Sequence, residues 1–412
     1  LLDGLAPDGG LYVPAELPSL PVDEFSDLSH IKYIAQQLLA PFFDGDGLEG
    51  ELDAICDETF AFDIPLRELE PQTSVLELFH GPTAAFKDVG ARFLASCISR
   101  LNEGASEPVT ILVATSGDTG GAVAAAFYGK PNVEVIVLYP EGRVSPRQEK
   151  QLTCWDDNVW TYAVEGDFDD CQRMVKAAFA DDWWTENVRL SSANSINIGR
   201  LLPQMTYYGA ASVWYWQRHR VEPGFIVPSG NLGNVLACLY AREVGLPIGD
   251  VILATNANRA VTEFLETGDW EAFETVQTLA NAMDVGNPSN MERLRHLWPD
   301  VETVRDKIKA FRVGDDAIVE EIRRGPDRWG QVWDPHTACA AHVRSKLDSG
   351  DWIIVATAHP AKFNDVVEPI LQREVSIPPG LAELLERPNE VENVAPTLDA
   401  LREAYQSRCA RE

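Results

Sequence analysis

Lysine is scarce in this chain, paired cysteines and long apolar runs are missing, and each shortage excludes something. The 412 residues carry 34 lysines and arginines against 64 aspartates and glutamates, giving a formal charge of −30 and a pI near 4.5. So acidic a surface excludes sequence-independent nucleic-acid binding, which needs a basic footprint, and docking on anionic lipid. No apolar run approaches the ~18–20 residues of a membrane span. The seven cysteines (56, 97, 154, 171, 238, 339 and 409) are scattered and include no C-x-x-C pair. They read as reduced thiols in a cytoplasmic protein, not as a disulfide framework. The seven histidines form no HExxH-like cluster, so no metal site is expected. The opening LLDGLAPDGGLYVP has no basic region ahead of an apolar one, and no signal peptide is expected there.

What is present is an ordinary globular composition, 45% hydrophobic and 24% charged, on a chain long enough for two domains or one large α/β body. After probable-helix patterns near 30–40 and 50–60, apolar runs begin to alternate with helical ones. VTILVA (109–114), VEVIVLY (133–139), VWTYAVEG, GFIVP (224–228), VILATN (251–256) and the apolar core of DWIIVATAHPAKF (351–363) read as buried strands. SPRQEKQLTCW reads as a helix capped by Ser145 with Pro146 at its first position. DFDDCQRMVKAAF places acidic residues at a helix start, where the macrodipole favours them. This alternation predicts a mostly parallel sheet covered on both faces. Ligands of such sheets lie beyond the carboxyl ends of the strands. Three polar loops fall there: 115–121, 229–234 and 357–362.

Each loop has a plain reading beside a functional one. In PSGNLGNV (228–235), Gly230 and Gly233 let the backbone approach an anion at a helix start. The loop lacks the GK[ST] of a P-loop and is not GxGxxG, so a small phosphate fits better than a nucleotide. A tight strand-to-helix turn with no ligand is equally compatible with these residues. ATSGDTGGAV (114–123) offers the hydroxyls of Thr115, Ser116 and Thr119 to a carboxylate or phosphate, although Asp118 repels an anion unless it faces away. D-T-G here and D-S-G at 348–350 would suit paired protease carboxylates, but that architecture is all-β. SSANSINIGRLLPQ (191–204) groups Asn194, Ser195 and Arg200, where a capped helix with a solvated arginine is the plain reading. His359 and His80 read as structural.

Lys87 stands out against this background. It lies in ELFHGPTAAFKDVGARF (77–93), a run that otherwise looks like packed core, on a chain with nine lysines and twenty-five arginines. A helix lysine usually snorkels to solvent. One held in apolar surroundings has a lowered pKa and becomes a nucleophile toward carbonyls. A Schiff-base lysine together with a phosphate cradle is what pyridoxal 5'-phosphate requires, and that reading accounts for Lys87 and the 229–234 loop together.

The strings GLAPDGGLYVP, ELFHGPTAAFKDVGARF, ATSGDTGGAVAAAFYG, SANSINIGRLLPQ, PSGNLGNV, NAMDVGNPSN and TAHPAKF run colinearly along nearly the whole chain. In them the sequence resembles the threonine synthase family, of the tryptophan-synthase β-like kind. The resemblance implies an α/β, fold-type II enzyme: two α/β domains with mostly parallel sheets and the cofactor in the cleft between them. It implies residues 1–65 as an N-terminal subdomain, 66–95 with 200–375 as the large cofactor domain, 96–199 as the small substrate domain, and 376–412 as a C-terminal tail. Lys87 would hold pyridoxal phosphate as a Schiff base and shuttle protons. Gly230, Asn231, Leu232, Gly233 and Asn234 would bind its phosphate, and Thr357 would face the ring nitrogen. Thr115, Ser116, Thr119, Asn194, Ser195 and Arg200 would bind the substrate, O-phospho-L-homoserine, which reacts with water to give L-threonine and phosphate. Many members of the wider family carry Asn in place of Asp118, so an Asn-type contact to the cofactor's 3′-oxygen does not transfer. A monomer is expected, a homodimer being the alternative. The nearest other activity, a serine/threonine dehydratase, needs no substrate-phosphate site, and NSINIGR argues against it; a non-catalytic homologue would have no need to fill every site position.

Overall fold

The apolar runs fold into two separate sheets, and their separation decides where the site lies. The computed structural model describes residues 1–25, 27–115 and 117–410. Numbered along the chain, the strands are β1 (Leu66–Glu70), β2 (Thr73–Glu77), β3 (Val109–Ala114), β4 (Val133–Pro140), β5 (Val159–Val164), β6 (Leu190–Ser191), β7 (Gly224–Pro228), β8 (Val251–Thr255), β9 (Ile308–Arg312), β10 (Trp352–Ala356) and β11 (Glu392–Val394). One sheet has six strands in the order β1-β2-β10-β7-β8-β9, and the other five in the order β11-β5-β4-β3-β6. Every pairing is parallel except β1 with β2.

Both sheets are covered on two faces, which is why their strands read as unbroken apolar runs. In β7, Phe225 and Val227 join the core that contains Ile34 and Leu38 of the helix Ile31–Leu39, whereas Ile226 faces Ile318 and Ile322 of the helix Asp315–Trp329. In β3, Ile111 and Val113 pack with Phe127, whereas Leu112 faces Met174 of the helix Phe168–Ala180. That helix starts on a capping box: Asp167 accepts from the Asp170 amide at 2.9 Å, and Asp170 accepts from the Asp167 amide at 3.0 Å. Ser145 stands at the cap position of Pro146–Thr153, but its hydroxyl donates to Gln148 Oε1 at 3.0 Å and caps no amide.

The helix Lys87–Leu101 joins the two bodies. Val89, Phe93 and Cys97 belong to the core of the six-stranded sheet, and Ala91, Leu94 and Ile98 to that of the five-stranded one. A helix apolar on two faces has to be enclosed, and here the enclosure is the junction itself. The expected boundary between residues 95 and 96 falls inside this helix. Residues 376–410 return to the smaller body: β11 pairs with β5, and Leu401 packs beside Met174. Among the described residues no helix is long and apolar enough to cross a membrane.

Close packing at the junction depends on Gly90, which lets the short helix Ile198–Leu201 approach. Helix propensity would favour alanine there by about 1 kcal/mol, yet a methyl at this position would lie 2.6 Å from the Arg200 carbonyl oxygen. Overpacking of that kind costs about 1–3 kcal/mol and outweighs the gain. Gly90→Ala should therefore lower the urea midpoint of unfolding; an unchanged or raised midpoint would show that the junction tolerates the methyl.

Candidate functional site

The carboxyl ends of β3, β6, β7 and β10 open onto one cleft of ≈ 710 Å³. Lys87 enters it as the first residue of its helix. The turn before it is stitched to the loop after β10: the Phe86 amide donates to the Thr357 carbonyl at 2.8 Å, and the His359 amide donates to the Ala84 carbonyl at 3.0 Å. Asp88 holds the turn from the other side, accepting from the Thr83 amide at 2.9 Å and the Thr83 hydroxyl at 2.6 Å. Ala84 takes a left-handed conformation (φ 54°) to make this path. Lys87 and Thr357 are thereby fixed side by side on the cleft wall.

Lys87 is half-buried by surface area because its side chain meets the cleft, and protein atoms crowd it on the other sides. Burial lowers its amine to about 8; Asp118 works against that shift, while Arg200 and Lys362 add to it. Asp118 is itself buried. Burial alone would raise its carboxyl, but Lys362, Lys87 and the Gln148 amide outweigh burial and hold it well below the usual carboxylate range.

The loop after β7 is shaped by its side chains so that its backbone meets the cleft. Leu232 is buried in a left-handed conformation (φ 63°) at the cap of the helix Gly233–Glu243. The Leu236 amide bonds back to the Leu232 carbonyl at 2.9 Å; amides ahead of it stand at the open, electropositive helix end. A Cβ at Gly230 would lie 2.6 Å from Met283 Cα, so only glycine fits. The Asn231 side chain accepts from the Ser289 amide at 2.7 Å and donates to Ser195 Oγ at 2.6 Å. Asn234 accepts from the Tyr207 and Tyr208 hydroxyls, both at 2.7 Å, and donates to the Pro228 carbonyl at 3.1 Å. Both asparagine side chains are committed to holding the loop.

Across the cleft the expected anion-binding residues differ in how free they are. The Thr115 hydroxyl is committed within its own loop, accepting from the Gly117 and Gly120 amides at 3.0 and 2.9 Å. Thr119 lines the cleft, and Ser116 lies outside the described residues. Ser195 is bonded to Asn231, as above. Arg200 is 3% exposed, so the solvated-arginine reading fails. One of its Nη atoms donates to the Ala193 carbonyl, its buried Nε has no partner, and no carboxylate lies within ion-pair distance of it among the described residues. Burial lowers its guanidinium to about 10. Among the described residues the buried Oδ1 of Asn194, an acceptor, also lacks a partner. Arg200 and Asn194 both line the cleft, placing at its wall a cation with no carboxylate paired to it among the described residues.

Several residues in or behind the cleft wall carried no role in the sequence reading. Lys362, in HPAKF, is buried behind the cleft wall and pairs there with Asp118 at 3.0 Å. His336 lines the cleft, its Nδ1 bonded to Asp334 at 2.8 Å and its Nε2 accepting from the Ala282 amide at 3.1 Å. Asn281, Asp284 and Ser289 also line it; their segment, NAMDVGNPSN, is conspicuous for its asparagines and glycine. His359 instead accepts from the Ala361 amide at 3.2 Å and His80 pairs with Glu77 at 2.8 Å, and neither lines the cleft. The two protease-like carboxylates are not brought together: Asp118 faces the cleft, and Asp348 is exposed before β10, at that strand's opposite end.

Comparison with known proteins agrees with this geometry. A family model described as "Pyridoxal-phosphate dependent enzyme" matches residues 65–357, flanked by "Threonine synthase N terminus" at 1–60 and "Threonine synthase, C-terminal" at 337–404. A threonine synthase of Serratia marcescens is 42% identical over 395 residues, covering 93% of this chain and 90% of that protein. The crystal structure of threonine synthase from Escherichia coli superposes with a TM-score of 0.90 at 39% identity, over 99% of this chain and 95% of that one. A PLP-bound threonine synthase from Brucella melitensis superposes with a TM-score of 0.91 at 33% identity, over 98% and 95%. With its N-terminal, central and C-terminal segments all matched, the chain belongs to the threonine synthase family of pyridoxal-phosphate dependent enzymes.

Proposed function

We propose that the protein converts O-phospho-L-homoserine and water to L-threonine and phosphate, with pyridoxal phosphate held in the cleft through Lys87. The observation that carries this reading is one amine lowered to about 8 in a cleft that offers two separate anion sites. One is the helix start after Gly230, for the cofactor's phosphate. The other is the wall containing Arg200, for the substrate. The residues fit the cofactor on grounds internal to the structure: an open helix start at Gly233 facing the cleft, its loop braced by Asn231 and Asn234, and a lysine whose burial favours the neutral, nucleophilic form.

In this reading the six-stranded body (residues 66–95 and 200–375) holds the cofactor, and residues 96–199 supply most of the substrate contacts. The amides of residues 230–234 grip the phosphate, while Asn231 and Asn234 keep those amides aligned. Thr357 sets a neutral hydroxyl against the ring nitrogen, its amide fixed by the Thr337 hydroxyl at 3.1 Å. When bound, pyridoxal phosphate supplies the electron sink that lets protons leave carbons next to the substrate's amino group. Lys87 Nζ takes the α-proton and returns protons to the same carbon chain, because it stands beside the carbons that change. Arg200, with Asn194 and Thr119, holds the substrate's phosphate and carboxylate. Arg200 stabilises charge on the phosphate as it leaves, and its demand for a dianion selects phosphohomoserine over serine or threonine. The formal charge of −30 suits a small-molecule substrate over nucleic acid.

Borohydride reduction of the purified protein should bleach its yellow colour and leave the reduced cofactor on Lys87 in a peptide map; attachment elsewhere would overturn the assignment. Phosphate release should be rapid from O-phosphohomoserine and absent from O-phosphoserine. Lys87→Ala should cut turnover by at least about a thousandfold while leaving the fold intact, and substantial threonine formation by that variant would contradict the role. Arg200→Ala should lower kcat/KM for O-phosphohomoserine by about 100-fold with cofactor retention unchanged; equal loss of both would place the residue elsewhere. Uptake of the cofactor by the stripped protein needs the neutral amine, so its rate should rise with pH and reach half-maximum near 8. A half-point at the ordinary lysine value would mean the amine is not held as described.

A further inference from the structure

Two lysines lie near one carboxylate at the cleft wall, and among the described residues only the one buried behind the wall, Lys362, makes contact with it. Lys362 Nζ lies 3.0 Å from Asp118 Oδ1 and donates to the Thr83 carbonyl at 2.6 Å. Both side chains are buried, Lys362 at 1% and Asp118 at 6% relative exposure. Gln148 donates to the same Asp118 oxygen at 3.0 Å, and Gln151 of that helix donates to Thr83 O at 3.1 Å. Lys87 influences Asp118 only at longer range, with no ion-pair contact between them among the described residues.

This arrangement spans three segments. Lys362 follows β10 of the six-stranded sheet, Asp118 opens the helix after β3 of the five-stranded one, and Thr83 lies in the turn leading to Lys87. A buried carboxylate left alone would be costly, and it would draw on the nearest cation for compensation. Without Lys362 that cation would be Lys87, held as an unreactive ammonium.

We propose that Lys362 is a positioning residue that monopolises Asp118, clamping the helix after β3 to the turn before Lys87 and leaving the Lys87 amine free for the cofactor. The proposal rests on the functional reading above. It also explains how an anion is tolerated beside an aspartate: the Asp118–Lys362 pair is neutral as a unit. The groups facing Lys87 are Asp118, Arg200 and Lys362; His336 lines the same cleft beside Thr337, which holds the Thr357 amide, and acts on Asp118; Asp88, on the helix that Lys87 opens, is turned to the Thr83 amide and hydroxyl.

The test is a pH titration of the visible absorption band of the cofactor bound to Lys87, in the holoenzyme and three variants. Lys362→Met leaves a negative charge uncompensated, which should stabilise the protonated form and move the midpoint up by about one pH unit. Asp118→Asn removes that charge and should move it down by a similar amount. The double variant Lys362→Met/Asp118→Asn should return close to the parent value. Shifts in the same direction, or no shift in either single variant, would overturn the proposal, since a purely structural role predicts no opposition of sign. Should Lys362→Met fail to fold, recovery of folding and of the midpoint in the double variant supports the pairing, and a double variant as damaged as the single one refutes it. A parent protein with no borohydride-sensitive band would sink the functional reading itself; a band whose midpoint ignores both residues sinks only this inference.

Discussion

Keeping a lysine amine inside protein without letting it become an idle cation is the constraint around which this molecule is arranged. Burial alone favours the neutral form but also favours a partner, because an acidic group placed nearby would pin the ammonium. Lys87 has Asp118 in range, and the outcome turns on which lysine makes the contact. Lys362 takes it, at 3.0 Å, and Arg200 and Lys362 add positive potential that keeps the Lys87 proton loosely held. The backbone matters as much. Reciprocal bonds between the turn at 84–86 and the loop at 357–359 set the height of the amine in the cleft, so that β10, not helix packing alone, positions it.

The two proposed anion sites use different physics, which suits different tasks. At the helix after β7 the donors are backbone amides, and the side chains that look like ligands are braces: Asn231 ties the loop to Ser195 and Ser289, and Asn234 is clasped by two tyrosines. Such a cradle costs no side-chain entropy when it fills, a property fitted to a resident group. At the opposite wall the donor is a full cation. Arg200 donates to the Ala193 carbonyl and, among the described residues, has no carboxylate within ion-pair distance, so an arriving anion would meet a charge that folding has left uncompensated. That suits a group that comes and goes.

Much of this was legible in the sequence where local rules govern. Buried central strands such as VTILVA and GFIVP declared themselves as apolar runs, and Lys87 as a lysine out of place. Strands that escaped notice include the edges β1 (LRELE) and β9 (IKAFR), which carry charges on exposed faces, as sheet margins do to resist pairing with other chains, and the buried inner strand β2 (TSVLE), too short and polar to read as an apolar run. Alternation alone also did not separate one sheet from two, because each βα unit looks the same whichever sheet receives it. Within the site, the residue type of Arg200 suggests an anion clamp, but nothing local says that it is buried. Thr115 and Asn234 look like free donors in a string of letters, and their commitments arise from turns and tyrosines that the string does not bring together. Lys362 was invisible as a partner of Asp118 for the same reason. The two are far apart in sequence and meet only because the loop after one sheet reaches the helix after the other.

The contacts across the cleft are mostly polar and directional. Arg293 is fully buried with no carboxylate partner among the described residues, and it spends its donors on the carbonyls of Tyr12, Ser195 and Ile196 at 2.9, 3.2 and 2.6 Å and on Asn290 Oδ1 at 2.6 Å. It thus holds the N-terminal segment, the loop after β6 and the segment beside Asn231 in one register. Apolar packing between two bodies tolerates sliding, because dispersion depends weakly on direction. Bonds from a planar, five-donor group do not. With Arg293 bonded to Ser195, Ile196 and Asn290, Asn231 to Ser195 and Lys362 to Asp118, the loops of each sheet are indexed to those of the other by hydrogen-bonded contacts. A cleft built from the ends of two independent sheets needs that indexing, because neither sheet alone fixes where the other's loops fall.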